Sequence, residues 1–202
     1  MKRIGVFGGT FDPPHAGHMA VAEAALRQCG LDEVWLMVSP ENPFKSGRRM
    51  TPEAARLDMA RLAVASLPAE SRARIKVSDF EVGLPRPTYT INTLHGLDRQ
   101  YPGCRFSIII GGDNLSSFGK WRDSEEIASR YGIIAYPRPG EELPEETQMP
   151  PGCVILKDVL PMDVSSTRIR EVLRSAGCPD ADIAVAPDVV RYIKENHIYD
   201  RD

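Results

Sequence analysis

The chain has 202 residues, 42% of them hydrophobic and 26% charged, with a formal net charge of -3 at pH 7. This composition is typical of a globular protein with one core, so we expect a single domain over residues 1–202. The small negative charge offers no basic stripe for a nucleic-acid duplex, and no apolar run approaches the roughly 20 residues that span a bilayer, so neither nucleic acid nor membrane is an expected partner.

Short runs of β-branched and aliphatic residues alternate with segments of helical periodicity along the chain. Six such runs predict strands, at residues 3–7, 33–39, 74–77, 105–110, 132–136 and 154–159. Most of these runs are apolar on both faces, which indicates a parallel sheet covered by helices on each side. We therefore predict an α/β fold with three layers, Rossmann-like, with a mostly parallel sheet.

The helical segments are predicted at residues 18–29, from 51 onward, and at 90–99, 124–130, 167–174 and 187–197. The second of these begins with Thr51, Pro52 and Glu53, which suit an N-cap, a first-turn proline and a first-turn acid. The segment 137–152 holds five prolines and four glutamates, which predicts a solvent-exposed loop. The C-terminal part, 165–202, has two helical stretches and predicts a helical cap on the sheet.

The cysteines give a simple picture of the redox environment. Cys29, Cys104, Cys153 and Cys178 are scattered without a CxxC pair, which argues against a zinc knuckle and against a disulfide-bonded secreted domain. The start MKRIGVFGG lacks the apolar stretch and cleavage site of a signal peptide. We expect a cytoplasmic protein with reduced thiols, and the sequence leaves open whether it forms a homo-oligomer.

The first predicted strand runs directly into a glycine-rich turn, GGTFDPPHAGH at residues 8–18. Glycines let a ligand approach the backbone, and the helix start that follows offers free N–H groups and a positive dipole end. The spacing fits neither GxGxxG nor GxxxxGK[ST]. His15 and His18 are three residues apart, so both imidazoles can face one pocket and hold phosphate oxygens. A plain turn, a helix cap and a metal site remain as alternatives.

These eleven residues resemble the first signature of bacterial nicotinate-nucleotide adenylyltransferases, which belong to the HxGH nucleotidyltransferase superfamily. A distant stretch, VSSTRIR at residues 164–170, is similar to the SSTxIR signature of the same family. Its hydroxyl groups, helix start and arginine suit a triphosphate tail, whereas a plain N-cap with surface charges is the alternative. The resemblance implies the three-layer nucleotidyltransferase version of the Rossmann-like fold.

Segments in the middle of the chain extend the resemblance. The run IIIGGD at 108–113 is a strand that ends in glycines and an acid, where open α/β sheets place ribose contacts, although Asp113 could instead cap a turn. The run TYTINTL at 88–94 resembles the family's SYT-containing helix start, and Trp121 with Arg122 resembles its nicotinate-binding turn. In that family the tryptophan stacks on the pyridine ring, and backbone N–H groups at the positions of Thr90 and Arg122 receive the carboxylate. A half-buried core aromatic is the alternative for Trp121.

The resemblance implies three sets of site residues. The catalytic groups expected at the reacting phosphates are His15, His18, Lys45 and Arg170. The residues expected to bind ATP are Gly8, Gly9, Thr10, Phe11, His18, Gly111, Asp113, Ser165, Ser166, Thr167 and Arg170. The residues expected to bind the nicotinate nucleotide are Thr88, Tyr89, Thr90, Trp121, Arg122 and Arg138. The chain departs from the family pattern at Phe44, where a histidine is frequent, and at Asn92, where an aspartate is common.

The reaction that the resemblance implies is adenylyl transfer from ATP to nicotinate mononucleotide, giving nicotinate adenine dinucleotide and pyrophosphate in NAD biosynthesis. The sequence has no GxSxG motif and no cysteine with a histidine nearby, so direct in-line attack is expected. Mg²⁺ is expected on the ATP phosphates without protein ligands. Three alternatives stay open: a related transferase acting on phosphopantetheine or an alcohol phosphate, a nucleotide sensor without chemistry, and a zinc-binding structural protein.

Overall fold

A computed structural model describes residues 1–40, 50–137, 149–157, 159, 164–175 and 184–200. Its strands are β1 (Lys2–Gly9), β2 (Glu33–Val38), β3 (Ile75–Ser78), β4 (Cys104–Gly111), β5 (Gly132–Tyr136) and β6 (Val154–Ile155). They form one sheet in the order β3-β2-β1-β4-β5-β6, and every neighbouring pair is parallel. The predicted parallel sheet is confirmed.

The helices lie between the strands and after the last one. They are α1 (Ala16–Gln28), α2 (Glu53–Ala65), α3 (Ala69–Arg74), α4 (Thr90–Gln100), α5 (Gly112–Ser116), α6 (Ser124–Arg130), α7 (Ser166–Arg174) and α8 (Pro187–Glu195). Two short 3₁₀ turns, Phe80–Gly83 and Phe118–Lys120, lie at the ends of β3 and α5. Within the described ranges, no helix is both long and apolar enough to cross a bilayer.

Each face of the sheet packs against its own set of helices. Alternation along β1 sends Phe7 to one face and Ile4 and Val6 to the other, and both sides are buried. On the Phe7 side, alanines of α1 allow this helix to lie close to the sheet, and α2, α7 and α8 complete the cluster. On the other side the cover comes from α4, α5 and α6. This is the predicted three-layer arrangement.

The topology places a crevice at the centre of the sheet. From the neighbours β1 and β4, the chain builds outward in opposite directions, toward β3 on one side and β6 on the other. In open α/β sheets, ligands bind outside the carboxyl ends of the strands at such a switch point. Here those ends are Gly9 of β1 and Gly111 of β4.

Three local predictions need correction. The helix predicted to be capped by Thr51 begins at Glu53 with Pro52 in the N-cap position, because the Thr51 side chain hydrogen-bonds to the Tyr199 side chain. The first helix begins at Ala16, two residues earlier than predicted. The sixth strand covers two residues rather than six among those described, because the backbone of Lys157 leaves the ladder and bonds to the Gln28 side chain.

Candidate active site

The turn after β1 presents an open backbone at the switch point. A Cβ at Gly8 would meet no described atom within 4 Å, so a ligand can approach the main chain there. A Cβ at Gly9 would lie 3.2 Å from the ring of Phe11, so this glycine serves packing within the protein. Phe11 itself is 1% exposed and has φ of 47°, a strained left-handed conformation that clusters at functional sites. Almost no surface of Phe11 is therefore open to a ligand in this structure.

The structure brings the two predicted histidines together. The rings of His15 and His18 are stacked, with centroids 3.7 Å apart and planes inclined by 27°. The backbone N–H of His15, which precedes α1, donates to Nδ1 of His18 at 3.2 Å. Because Nδ1 accepts this bond, a neutral His18 ring carries its proton on Nε2. His18 can therefore offer a hydrogen-bond donor to an oxygen anion from a fixed orientation.

The second signature reaches the first across the length of the chain. Ser166 Oγ at the start of α7 donates to the Pro13 carbonyl at 2.9 Å, over a separation of 153 residues. Arg170 Nη1 donates to the Asp12 carbonyl, and its Nη2 donates to Thr167 Oγ1 at 2.9 Å. The start of α7 thus lies directly against the turn that follows β1. Because Arg170 is 6% exposed, much of its guanidinium supports that turn from inside the protein.

Ser165 and Thr167 complete the start of α7. Ser165 is the N-cap, and its hydroxyl accepts a hydrogen bond from the Arg168 backbone N–H at 3.2 Å. Both Ser165 and Thr167 are exposed, so their remaining hydroxyl capacity faces outward at the helix N-terminus. Gly111 ends β4 and directly precedes α5, and Asp113 lies exposed in the first turn of that helix. The sequence-based ATP residues on β1, β4 and α7 therefore share the carboxyl edge of the sheet or border it.

The predicted acceptor residues form a second group, at the start of α4 and in the turn before α6. Tyr89 is the N-cap of α4, and the guanidinium carbon of Arg122 lies 4.9 Å from the centroid of its ring. This cation–π contact joins the two segments that the resemblance pairs. Trp121 is half-buried and packs on Phe118, with ring centroids 5.5 Å apart. Its indole Nε1 is buried and has no hydrogen-bond partner within the described residues.

A depression of about 410 Å³ borders Trp121 and is lined further by Asp123, Ser124, Glu125 and Glu126. Its carboxylates would repel phosphate groups, so this depression does not suit the charged part of a nucleotide. The phosphates fit better along the strand ends, where glycines, histidines and the α7 start meet. Among the described residues, no group of three or more His, Cys, Asp or Glu side chains is placed to hold a metal ion.

Two residues that sequence reasoning missed support the first turn. Tyr199 OH donates to Asp12 Oδ1 at 2.6 Å. Burial first, and then the charge of Asp12, raise the pKa of Tyr199, so its hydroxyl keeps the proton that it donates. Arg56, on the buried face of α2 with Met59 and Ala60, donates to four backbone carbonyls. The signal for Arg56 is present in the sequence, because helical spacing places this charge on a core face. No comparable local signal marks Tyr199.

Comparison with known proteins identifies the family. A family model described as cytidylyltransferase-like matches residues 6–172. A protein of Bacteroides fragilis named a probable nicotinate-nucleotide adenylyltransferase is 45% identical over 171 residues, which cover 85% of this chain and 82% of that protein. The nicotinate-nucleotide adenylyltransferase of Bacillus subtilis is 36% identical over 200 residues, covering 99% and 100%. The chain belongs to the nicotinate-nucleotide adenylyltransferase family.

The fold agrees with this assignment. The Plasmodium falciparum nicotinic acid mononucleotide adenylyltransferase complexed with NaAD superposes with a TM-score of 0.81, covering 98% of each chain at 20% sequence identity. This likeness confirms the Rossmann-like nucleotidyltransferase fold predicted from the sequence. Two residues that the resemblance to nicotinate-nucleotide adenylyltransferases assigns to the site, Lys45 and Arg138, lie outside the described residues. The departure at Phe44 lies outside them as well.

A buried carboxyl group lies between the two halves of the site in this adenylyltransferase. Glu81 Oε1 accepts a hydrogen bond from Thr93 Oγ1 of α4 at 2.8 Å, and the Ser39 side chain, just after β2, bonds to the same carboxyl group. Burial raises the pKa of Glu81 above its ordinary value of 4.5, although both hydrogen bonds act in the opposite direction. Glu81 therefore links α4, where the acceptor residues begin, to the strand next to β1.

The raised pKa of Glu81 predicts a pH-dependent contribution to stability. A folded-state pKa above the unfolded value stabilises the fold below the unfolded pKa, and this contribution is lost as pH rises through the folded pKa. We expect the free energy of unfolding of wild type, relative to Glu81→Gln, to fall as pH rises from about 4.5 toward neutrality. A pKa difference of one corresponds to about 1.4 kcal/mol.

Urea unfolding of wild type and Glu81→Gln at several pH values measures how the difference between their free energies of unfolding changes with pH. Hydrogen bonds lost in Glu81→Gln shift this difference by the same amount at every pH, so they do not affect its slope. Glu195→Gln, at an exposed position on α8, controls for the substitution itself. If the free energy of unfolding of wild type minus that of Glu81→Gln stays constant or rises with pH, the raised pKa of Glu81 is contradicted.

Proposed function

We propose that this chain transfers the adenylyl group of ATP to the 5′-phosphate of nicotinate mononucleotide, giving nicotinate adenine dinucleotide and pyrophosphate in NAD biosynthesis. The observation that carries the proposal is the contact between the start of α7 and the turn after β1, through Ser166 and Arg170. It joins the two signatures of the family at one edge of the sheet. The names of the relatives in Bacillus subtilis and Bacteroides fragilis support the substrate assignment.

The chemistry follows from the groups available at that edge. The acceptor's phosphate oxygen bonds to the α-phosphorus of ATP as the bond from that phosphorus to the pyrophosphate oxygen breaks, in line with the attack. His15 and His18 hold the reacting phosphates, and Lys45, Ser166, Thr167 and Arg170 hold the triphosphate tail. The protein contributes position and preorganised donors, because the reaction needs no covalent intermediate.

The acceptor half of the proposal rests on the segment around Tyr89 and the turn at Trp121. An indole face suits a flat pyridine ring, and backbone N–H groups of Thr90 and Arg122 suit its carboxylate. The Arg122 and Tyr89 contact supports the idea that both segments bind one ligand. We further propose Arg138, which lies outside the described residues, as a contact to the acceptor.

Mg²⁺ would accompany ATP in this reaction. It usually keeps several waters and binds through substrate phosphates and few protein groups, which agrees with a site built from hydrogen-bond donors. The ion would neutralise phosphate charge, while the histidines and the α7 start orient the phosphate oxygens. We propose no protein ligand for it.

We also propose that residues 1–202 act as one nucleotidyltransferase domain, with 165–202 as its helical C-terminal part. Contacts across the chain support this view: Tyr192 OH of α8 donates to Asp58 Oδ2 of α2 at 3.2 Å. The described cysteines are free thiols, in keeping with a proposed cytoplasmic location.

The choice of acceptor is the decisive test. Pyrophosphate release would be measured with ATP and each of nicotinate mononucleotide, nicotinamide mononucleotide and phosphopantetheine. We expect the nicotinate form to be preferred by about a hundredfold or more in kcat/KM, because a site that binds a polar group rejects an analogue without it. Equal efficiency with the nicotinamide form would refute carboxylate recognition, and preference for phosphopantetheine would refute the proposed acceptor.

The two tryptophans of the chain provide a matched pair for the same assay. Trp121→Leu removes the proposed stacking surface and is expected to raise KM for the acceptor by about tenfold, or about 1.4 kcal/mol. Trp35→Leu alters an aromatic cluster with Tyr101 and Phe106, away from the strand ends, and should leave KM unchanged. An equal effect of both changes would indicate a general loss of structure. ATP binding without pyrophosphate release with any acceptor would favour a nucleotide sensor.

A further inference from the structure

Arg56 of α2 is a fully buried arginine whose hydrogen bonds go to the main chain. Its side chain is 0% exposed. Nε donates to the Thr51 carbonyl at 2.9 Å, and Nη1 donates to the carbonyls of Thr10 at 2.8 Å and Ser39 at 2.7 Å. Nη2 donates to the Pro40 carbonyl at 3.0 Å. Four of its five donor positions are therefore matched by backbone oxygens.

A charge in this position does not serve core packing. Burial lowers the pKa of Arg56, and Asp12 nearby acts in the opposite direction, but a guanidinium remains protonated in proteins. Replacing a buried charge by an apolar residue of similar volume is often neutral or stabilising. The presence of arginine among Met59 and Ala60 therefore indicates a task that an apolar side chain cannot perform, namely holding several carbonyls at once.

Three of the four carbonyls that Arg56 holds belong to two segments at the carboxyl edge of the sheet. Thr10 lies in the turn after β1, and Ser39 and Pro40 follow β2 directly. The backbone N–H of Ser39 also donates to the Gly9 carbonyl at 2.9 Å. Arg56 thus fixes the first turn against the end of the neighbouring strand.

A second arginine binds the same turn. Arg170 donates to the Asp12 carbonyl, two residues beyond the carbonyl that Arg56 binds. The segment from Thr10 to Asp12 is therefore held by a guanidinium group at each end. Its backbone direction sets where Thr10 and the following histidines point.

We infer that Arg56 is a positioning residue for adenylyl transfer: through the Thr10, Ser39 and Pro40 carbonyls it sets the geometry of the turn that handles the reacting phosphates. The inference rests on the proposed function. It predicts that turnover depends on the several N–H donors of the guanidinium group, and that a positive charge alone does not replace them. A small displacement of catalytic groups is enough to lower turnover, because the reacting atoms must lie close to their in-line geometry.

The test compares Arg56→Met and Arg56→Lys with Met59→Ala, a core truncation on the same helix. Steady-state kinetics at a temperature where each variant is folded would give kcat and KM, and thermal unfolding would give stability. We expect both Arg56 variants to lose about tenfold or more in kcat, with little change in KM for the acceptor. Lysine keeps the charge but cannot reach all four carbonyls, so it should rescue little. Met59→Ala should lose stability and keep kcat.

The inference is overturned if folded Arg56→Met turns over like wild type, or if Arg56→Lys restores full turnover, which would assign the effect to charge. It is also overturned if Met59→Ala loses kcat as Arg56→Met does, or if neither Arg56 variant folds, since the role would then be structural. Wild type without activity toward any acceptor would refute the proposed function instead. The Kd for ATP of wild type and Arg56→Met, measured by calorimetry, would then decide on Arg56 alone, with equal values overturning its role.

Discussion

His18→Ala is expected to lower kcat by about a hundredfold or more, because loss of one preorganised donor at a developing charge costs roughly 2.7–4 kcal/mol. His18 is oriented by the hydrogen bond from the His15 backbone and by stacking on the His15 ring. Alanine is a good helix former, so α1 should persist and the fold should remain intact. Pyrophosphate release under saturating ATP and acceptor measures the change, and circular dichroism reports the fold.

His95→Ala is the matched control for this experiment. His95 lies on α4 with its Nε2 2.7 Å from Glu126 Oε1, in an ion-pair network on the protein surface. Its removal should leave kcat near the wild-type value. Full turnover by folded His18→Ala would end the role assigned to that imidazole, whereas equal losses in both variants would point to a change in the fold.

Arg170→Met is expected to damage both the fold and turnover. The substitution leaves the Asp12 carbonyl and Thr167 Oγ1 without their present donor, and it removes a positive charge beside the first turn. Leaving a buried hydrogen-bond acceptor without a partner costs about 1–3 kcal/mol of stability. Turnover should fall by about a hundredfold at a temperature where the variant is folded, because the donor set at the phosphates is lost with it.

Arg168→Met, two residues earlier on α7, provides the comparison for Arg170→Met. Arg168 is exposed, so its side chain can be shortened without opening the core. Chemical unfolding and steady-state kinetics on both variants separate the two effects. Should Arg168→Met lose as much turnover as Arg170→Met, the buried contacts to the first turn would not be the reason for the loss.

The sheet and the pairing of the two signatures were accessible from the sequence for different reasons. Apolar runs on both faces of a strand report burial directly, so the first five parallel strands are predicted to within two residues of their observed bounds. The signatures at 8–18 and 164–170 are local strings of residues, and the family likeness placed them together before any contact was known. The helix α3, in contrast, buries none of its residues, and its sequence therefore carries no apolar periodicity to detect.

What the sequence could not supply is the support behind the site. Arg56 acts on backbone carbonyls, which every residue has, so no partner residue marks the interaction. Thr51 has the features of an N-cap, but its side chain hydrogen-bonds to the distant Tyr199, and this contact overrides the local preference. Tyr199 pairs with Asp12 across 187 positions, a contact that only the packing of α8 brings about.

The Tyr199 contact to Asp12 also bears on how the protein reaches its active form. A bond between groups this far apart closes a loop of nearly the whole chain, so the first turn has this support only while residue 199 lies against it. Residues beyond α8 therefore contribute to the shape of the turn at the opposite end of the chain. Cleavage of the backbone just before residue 199 should lower turnover even where the parallel sheet stays folded.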